Sequence, residues 1–372
     1  MYLIVLIVLA ALWLAYGNGA NDNFKGVATL YGSDTTTFKG ALWWATATTF
    51  AGSVVSVLFA QKLVKTFSGK GLVPDALAGS PTFAVAVGLG AALTIFLATY
   101  IGMPTSTTHS LIGGLLGTGI AAGASINTNV LLTKFAIPML TSPVLAIAIA
   151  ALLYFVLRLI RQRSGLTKET CVCVADGSMQ PVQVGANGTM LMERTGLELV
   201  VDEKTQCVDR YQGKLVGIEA QPALNSMHYL SAGAVCFSRA VNDTPKVAAL
   251  LLTTAALQPA VGIGIVGVAI ALGGILQSRQ VAETMSKRIT ALSPGQGFTA
   301  NITTAFLVLV ASNMGVPVST THVSCGSIFG IGAVNRSGKW DTISKILGTW
   351  VTTLPLAAVV SGVLYLLFNS FA

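Results

Sequence analysis

Charged side chains are scarce in this chain of 372 residues: only 10% of the residues are Asp, Glu, Lys or Arg, while 53% are hydrophobic. Soluble globular chains carry about 25% charged residues, so the composition excludes a soluble enzyme and a disordered scaffold. Five cysteines are too few and too scattered for a disulfide-stapled secreted module. The formal net charge is +8, but no basic cluster lies on an amphipathic helix, and no nucleic-acid partner is expected. The composition is that of a protein that crosses a lipid bilayer several times.

Long apolar runs predict the membrane-spanning helices, each of which needs about 20 mostly apolar residues. The six best candidates are residues 38–60, 82–101, 142–160, 256–277, 299–313 and 343–368. Other apolar stretches are interrupted. Breaks are predicted at residues 17–22 and 242–243, and at the prolines that open two Ser-Thr-Thr-His segments. Irregular backbone at membrane depth survives only where protein or a watery cavity satisfies its polar groups, so such breaks predict a binding site.

Residues 161–225 differ in composition from the rest of the chain. Eight of the 14 acidic residues lie between Glu169 and Glu219. Short alternating hydrophobic runs are separated there by Asp176-Gly177 and Asn187-Gly188, which are typical of β-hairpin turns. This pattern predicts a small β-rich soluble insert. It is expected in the cytoplasm, because basic residues mark that side of a membrane segment, and a basic cluster lies where the chain leaves the preceding apolar run: Arg158, Arg161, Arg163 and Lys168.

An internal repeat relates the two membrane parts, residues 1–160 and 226–372. Residues 19–25, Gly-Ala-Asn-Asp-Asn-Phe-Lys, recur at 240–246 as Ala-Val-Asn-Asp-Thr-Pro-Lys. Residues 102–109, Gly-Met-Pro-Thr-Ser-Thr-Thr-His, recur at 315–322 as Gly-Val-Pro-Val-Ser-Thr-Thr-His. With a cytoplasmic insert and both termini outside, the two repeats have opposite topology. The sequence therefore predicts an all-α polytopic membrane protein of two inverted repeats with broken or re-entrant helices, which is typical of secondary transporters.

The two Ser-Thr-Thr triplets predict helix N-termini, because each follows a proline and precedes a glycine-rich apolar run. Free N–H groups and the positive end of the helix dipole attract an anion there, and each hydroxyl adds a donor. Two such termini that meet would surround a small tetrahedral oxyanion. The alternative is that these hydroxyls only join helices to one another. The predicted anion ligands are Ser106, Thr107, Thr108, Ser319, Thr320 and Thr321.

The two Asn-Asp pairs are the predicted cation ligands: Asn21, Asp22, Asn242 and Asp243. An acid inside an apolar stretch is costly unless it is paired or ligated. Carboxylate and amide oxygens together are hard ligands suited to Na⁺, which is expected at Asp22 and Asp243. Two alternatives stay open. Either carboxylate could carry a proton, or each could form an ion pair three residues along its helix, with Lys25 and Lys246.

The histidines and cysteines carry weaker signals. His109 and His322 close the two triplets without further metal ligands nearby, so a structural hydrogen bond is expected, with proton handling as the alternative. Three cysteines fall in the insert without a Cys-x-x-Cys pair, and reduced structural cysteines are expected there rather than a metal site: Cys171, Cys173 and Cys207. No cofactor and no catalytic residue is predicted.

At these motifs the chain resembles the inorganic phosphate transporter (PiT) family of sodium- or proton-coupled phosphate symporters. The resemblance rests on residues 19–22 and their degenerate copy at 240–243, and on the Pro-x-Ser-Thr-Thr-His segments at 104–109 and 317–322. It implies half-helices that meet at a central site, with Asp22 and Asp243 serving the cation and the triplets serving phosphate. Two positions depart from the family pattern: the family often has Asn at the position of Lys25, and an acidic residue near Asn301. The family also includes sulfate carriers, so the fold alone does not fix the anion.

Together these features predict a symporter that imports inorganic phosphate with Na⁺ by alternating access in the plasma (cell inner) membrane. Na⁺ is preferred over H⁺ because each Asp stands beside an Asn that supplies a second oxygen. The alternatives are a proton-coupled phosphate or sulfate permease, a channel, and an intramembrane phosphotransferase that uses His109 or His322. Mirrored motifs suit a symmetric carrier better than an asymmetric catalytic site, so an enzyme is not expected. Besides phosphate, the cation and the bilayer, a second copy of the chain in a homodimer is a candidate partner.

Overall fold

The computed structural model describes residues 2–58, 60–165, 167, 169–176, 179–184, 190–194, 197–203, 218–252 and 258–370. The chain divides into two compact units. One unit contains Met1–Tyr154 together with His228–Ala372, and the other contains Phe155–Met227. Residues of both predicted membrane repeats therefore fall in a single unit.

Helices account for most of the described residues. They are connected by a 3₁₀ turn at Ser56–Leu58 and by π-helical turns at Leu131–Ala136 and Thr284–Arg288. In chain order the α-helices are α1 (Tyr2–Asp22), α2 (Ala28–Gly32), α3 (Phe38–Val55), α4 (Ala60–Phe67), α5 (Asp75–Ala78), α6 (Pro81–Tyr100), α7 (Thr107–Ala121), α8 (Thr128–Val130), α9 (Ile137–Ser164), α10 (Ala220–Leu252), α11 (Pro259–Gln277), α12 (Arg279–Glu283), α13 (Pro294–Met314), α14 (Thr320–Val334) and α15 (Trp340–Asn369).

Seven helical segments in the described part of the chain are long and apolar enough to cross a membrane. Six of them coincide with the six apolar runs predicted from the sequence, and the seventh is α1. The segments are Tyr2–Asp22, Phe38–Leu58, Pro81–Tyr100, Thr128–Ser164, Pro259–Gln277, Pro294–Met314 and Trp340–Asn369.

Two of the predicted helix breaks are wrong. Helix α1 continues through residues 17–22 and ends at Asp22, and the backbone leaves the helix only at residues 23–27. Helix α10 continues through Asn242 and Asp243, although Pro245 removes one N–H donor from it. The polar side chains at both positions are buried and bonded to neighbouring segments. These partners supply hydrogen bonds to the buried polar side chains at both positions, and the backbone stays helical there.

The second unit contains paired strands. Strand β1 (Thr170–Asp176) is flanked by β4 (Leu197–Glu203) and β5 (Ile218–Glu219), and β2 (Met179–Val184) pairs with β3 (Met190–Arg194), all antiparallel. The turn signal Asn187-Gly188 lies between the paired strands β2 and β3. The hairpin predicted at Asp176-Gly177 is not formed by the described residues on either side of that turn, because β1 pairs with β4 and β5, and β2 pairs with β3. Several residues named in the sequence predictions lie outside the described part: Lys168, Gly177, Asn187, Gly188 and Cys207.

Two buried helices, α7 and α14, are too short to cross a bilayer. Each has 15 residues, which makes it about 22 Å long, against a hydrocarbon thickness of about 30 Å. The Oγ of Ser106 accepts the N–H of His109 at 3.1 Å, and the Oγ of Ser319 accepts the N–H of His322 at 3.2 Å. Both serines are therefore N-caps, which confirms the helix starts predicted at the two triplets.

Close backbone contact joins α1 to α11. A Cβ at Gly19 would lie 1.9 Å from the carbonyl oxygen of Ile270, and a Cβ at Gly273 would lie 1.9 Å from that of Tyr16. Only glycine permits such an approach, which is typical of helix contacts inside membranes. This contact fixes the position of the C-terminal end of α1, where Asp22 lies.

We expect Gly273→Ala to lower the thermal unfolding midpoint of the detergent-solubilised protein, because the added methyl group forces α1 and α11 apart. Overpacking of this kind costs about 1–3 kcal/mol. Gly264→Ala is the matched control, since Gly264 lies on the same helix and a Cβ added there would have no atom within 4 Å. The control should unfold at or slightly above the wild-type temperature. Equal midpoints for the two variants would contradict the close contact.

Candidate functional site

The N-termini of α7 and α14 meet inside the first unit. The Oγ1 of Thr108 donates to the carbonyl of Val318 at 3.1 Å, and the Oγ1 of Thr321 donates to the carbonyl of Thr105 at 2.5 Å. Each second threonine of a triplet therefore bonds to the loop that leads into the other helix. The two Ser-Thr-Thr triplets, which are 213 residues apart when Ser106 is compared with Ser319, form one junction.

Lys25 lies at this junction and bonds to the loop that leads into α7 and to the first turn of α14. Its Nζ forms an ion pair with Asp22, donates to the carbonyl of Thr105 at 2.8 Å and contacts the Oγ1 of Thr321. The side chains of Lys25 and Asp22 are each only 1% exposed. A buried ammonium group must be paired and fully hydrogen-bonded, and three oxygens fulfil this requirement here.

Lys246 repeats the arrangement in the other half of the chain. Its Nζ lies 3.0 Å from Asp243, 2.9 Å from the carbonyl of Val318 and 2.8 Å from the Oγ1 of Thr108. Each lysine thus contacts the aspartate of its own motif, a backbone carbonyl of its own half and a threonine hydroxyl of the opposite half. The ion pairs that the sequence left open as an alternative are present at both motifs.

The remaining carboxylate oxygens accept hydrogen bonds from the first threonine of each triplet. The Oγ1 of Thr107 lies 3.4 Å from Asp22, and the Oγ1 of Thr320 lies 3.1 Å from Asp243. The carboxylates therefore hold the triplets and the lysines at the same time. Every carboxylate oxygen of the two aspartates accepts at least one hydrogen bond from the protein.

The predicted cation ligand Asn21 positions the loop before α7. Its Oδ1 accepts the N–H of Thr105 at 2.9 Å, and its Nδ2 donates to the Oγ1 of Thr99 and to the carbonyl of Met103, both at 3.0 Å. Asn21 therefore ties the end of α1 to α6 and to the connection that follows α6.

Asn242 makes fewer contacts than its counterpart. Its Nδ2 donates to the Oγ of Ser312 at 2.8 Å, and its Oδ1 has no hydrogen-bond partner among the described residues. The two asparagines thus occupy matching places in their motifs but differ in how firmly they are held.

The structure adds two residues that the sequence predictions missed, Asn18 and Arg239. The guanidinium of Arg239 donates to the Oδ1 of Asn18 at 3.1 Å and to Thr49 at 2.9 Å. The Nδ2 of Asn18 in turn lies 3.1 Å from Asp22 and 2.8 Å from the Oγ1 of Thr107. Asn18 and Arg239 each precede the Asn-Asp pair of their motif by three residues, or one helical turn. A buried arginine in an apolar run is costly, and that is the signal that could have identified it.

The two histidines stack beside the junction. Their ring centroids are 4.4 Å apart, and the ring of His322 lies 3.9 Å from that of Trp350. The Nδ1 of His109 lies 2.9 Å from the Oγ of Ser106, which agrees with the expected structural hydrogen bond. The ring nitrogens of His322 have no partner of regular hydrogen-bond geometry among the described residues, but the backbone of Met139 lies close to the ring. The structural hydrogen bond of His322 stays a prediction. The described residues contain no group of three or more His, Cys, Asp or Glu that could hold a metal ion.

The junction carries a formal excess of positive charge. Lys25, Lys246 and Arg239 supply three positive charges and the two aspartates supply two negative ones, which leaves +1. No member of the two triplets is more than 5% exposed. A buried, positively charged centre lined by hydroxyls and helix N-termini can bind a small anion.

Seven apolar helices and two short helices that begin at one buried polar centre define a multi-pass membrane protein. A family model described as the Phosphate transporter family matches residues 18–361, which is most of the chain. The chain therefore belongs to the phosphate transporter family, and the family membership predicted from the sequence is confirmed. Because the family consists of transporters, the chain is a transporter rather than an enzyme.

Similar proteins extend over the whole chain. A protein of Pyrococcus horikoshii named as a candidate phosphate permease is 27% identical over 411 aligned residues, which cover 97% of each chain. The "Probable low-affinity inorganic phosphate transporter" of Bacillus subtilis is 26% identical over 377 residues, which cover 99% of this chain and 98% of that one. A solved structure entitled "The sodium-dependent phosphate transporter" matches all of both chains with a TM-score of 0.77 and 20% identity. It has the same fold.

We expect Asn21→Ala to destabilise the protein more than Asn242→Ala does. The first change removes three hydrogen bonds and leaves the buried N–H of Thr105 without a partner, and an unsatisfied buried group costs about 1–3 kcal/mol. The second change removes one bond, to Ser312, whose hydroxyl also donates to a backbone carbonyl. Thermal unfolding midpoints of both purified variants test this difference. A larger effect of Asn242→Ala would show that the loop before α7 is held by other contacts.

Proposed function

We propose that the chain is a secondary active symporter that imports inorganic phosphate by alternating access, with the anion bound between the N-termini of α7 and α14. The observation that carries the proposal is the meeting of these two N-termini around two buried lysines. Membership of the phosphate transporter family supports phosphate as the substrate. All six predicted anion ligands lie at this junction: Ser106, Thr107, Thr108, Ser319, Thr320 and Thr321.

The groups at the junction suit a tetrahedral oxyanion. The first N–H groups of α7 and α14 have no acceptor within their helices, so they are donors for an anion. The hydroxyl oxygens of Ser106 and Ser319 accept a backbone N–H as helix caps, and the four threonine hydroxyls of the triplets add further side-chain donors. These hydroxyls would exchange their present carbonyl and carboxylate acceptors for phosphate oxygens. The ammonium groups of Lys25 and Lys246 add positive charge beside the same oxygens.

Burial of the junction supports alternating access. Because no triplet residue is more than 5% exposed, phosphate reaches the site only after a movement that opens one side. The two halves of the chain contribute matching contacts, and a movement of one half against the other would expose the junction first to one side and then to the other. Inverted repeats provide such paired openings in many secondary transporters.

A cation gradient is the proposed driving force. The sequence predicts Na⁺ at Asn21, Asp22, Asn242 and Asp243, with H⁺ as the alternative. We expect proteoliposomes to accumulate radiolabelled phosphate when a Na⁺ or a proton gradient is imposed and not when both are absent. Comparing the two gradients identifies the driver. The absence of phosphate uptake with either gradient would refute the proposed function.

Sulfate is a second candidate substrate, and one observation favours it. Near neutral pH phosphate keeps a proton, which can donate a hydrogen bond to a free acceptor in the binding site. Sulfate has no such proton and gains no hydrogen bond from that acceptor. All carboxylate oxygens of Asp22 and Asp243 already accept hydrogen bonds from the protein. Competition against radiolabelled phosphate separates the candidates. Strong competition by arsenate and weak competition by sulfate supports phosphate, and equal competition supports the sulfate permease.

We expect the double variant Thr107→Val/Thr320→Val to bind phosphate at least about tenfold more weakly, because two hydroxyl donors are lost from a buried charged site at about 1.5–3 kcal/mol each. Equilibrium binding of radiolabelled phosphate to the purified variant measures the change. Thr118→Val is the matched control: Thr118 is buried on the same helix as Thr107, and its hydroxyl has no partner among the described residues. Unchanged affinity in the double variant would exclude these hydroxyls from the anion site.

A further inference from the structure

We infer that the ammonium groups of Lys25 and Lys246 take the places of Na⁺ ions at Asp22 and Asp243, so that the anion binds without Na⁺. The inference rests on the proposed function, because it concerns the same site. The sequence predicts Na⁺ at these two carboxylates, whereas in the structure the ammonium group of a lysine lies beside each of them.

The lysine contacts have the composition of an alkali-cation site. Each Nζ is surrounded by a carboxylate oxygen, a backbone carbonyl oxygen and a hydroxyl oxygen, which are the hard oxygen ligands that such cations take. For Lys246 the three distances lie between 2.8 and 3.0 Å, which is the range of N–H···O hydrogen bonds. Lys25 has the same three kinds of oxygen around it. The carboxylate oxygens that face each lysine, where Na⁺ was expected, are therefore already paired with an ammonium group. Of the two asparagines predicted with them, Asn21 accepts the N–H of Thr105, and the Oδ1 of Asn242 has no partner among the described residues.

The other carboxylate oxygen of each aspartate also has a donor from the protein. One oxygen of Asp22 accepts the amide of Asn18 and the hydroxyl of Thr107, and the corresponding oxygen of Asp243 accepts the hydroxyl of Thr320. A Na⁺ ion at either aspartate would have to displace the ammonium or bind directly beside it. Na⁺ and an ammonium group in direct contact inside a buried site repel each other strongly.

The formal charge of the junction also indicates that the lysines replace Na⁺. Without the lysines, two aspartates and Arg239 would leave a formal charge of −1, which repels a phosphate ion until cations bind. With the lysines, the junction has a formal charge of +1 before any ion enters. The lysines thus supply, as part of the chain, the positive charge that bound Na⁺ would otherwise bring. They stand at the same position of both motif copies, three residues after the aspartate.

Two measurements on purified protein test the inference. The first is binding of radiolabelled Na⁺, which does not depend on the anion. The wild-type protein should show no saturable Na⁺ binding that involves the two aspartates, so Asp22→Asn/Asp243→Asn should leave the Na⁺ signal unchanged. Saturable Na⁺ binding to the wild type that disappears in the aspartate variant would overturn the inference, whatever anion the protein transports.

The second measurement is phosphate binding in Na⁺ buffer and in choline buffer of equal ionic strength. The wild-type Kd should agree within about twofold between the buffers, and a Kd at least about tenfold weaker in choline would overturn the inference. The variant Lys25→Asn/Lys246→Asn, which frees both carboxylates, should acquire Na⁺ binding and a phosphate Kd at least about tenfold weaker in choline than in Na⁺. Failure of the wild type to bind phosphate in either buffer refutes the proposed function instead, and the Na⁺ measurement still decides the inference.

A surface ion pair provides the matched control. Lys345 pairs with Asp341 at 2.8 Å, but both side chains are exposed, so Lys345→Asn removes a lysine from an aspartate outside the junction. It should leave Na⁺ binding and phosphate affinity unchanged. If the double lysine variant does not elute as a single folded species, Lys246→Asn alone frees one carboxylate, and it should acquire one Na⁺ site. Absence of Na⁺ binding in a folded lysine variant would overturn the inference.

Discussion

The centre of the molecule depends on two buried aspartate–lysine pairs. Each pair brings an ammonium group to the N-terminus of a short helix, where it bonds to a carbonyl of one half of the chain and to a hydroxyl of the other. Removing one partner would leave an uncompensated charge in a dry site, which costs several kcal/mol. The ends of α1, α7 and α14 and the middle of α10 are therefore held in one arrangement by the requirement that these charges stay paired.

The same requirement explains why the helices differ from simple spans. Helices α7 and α14 begin in the interior because Ser106 and Ser319 cap them beside the lysines, and each helix is only about 22 Å long. Glycines on α1 and α11 allow the backbones to approach closely enough to fix the position of Asp22. Asn21 then holds the loop that leads into α7. Apolar contacts, backbone geometry and charge pairing thus specify the same centre.

Local chemistry made part of this structure predictable. A serine after a proline and before an apolar run marks a helix start, so Ser106 and Ser319 were predictable as caps, and the repeated motifs indicated which residues belong together. The continuity of α1 and α10 was not predictable, because it depends on partners such as Ser312, 70 residues from Asn242. The bond between Arg239 and Asn18 was missed for the same reason, because the two residues are 221 positions apart.

The three-residue spacing within each pair has a consequence for how the protein is made. The hydroxyl that Lys25 contacts in the finished structure belongs to Thr321, 296 residues further along the chain, so it has not been synthesised when α1 enters the bilayer. Asp22 is available at once, since it lies only three residues before Lys25. The Asp22–Lys25 pair makes the first segment electrically neutral during insertion. Lys25 stays paired with Asp22 until the second half of the chain has been synthesised. A free cation in the same place could be recruited only after assembly, whereas a tethered one accompanies the nascent chain from the beginning.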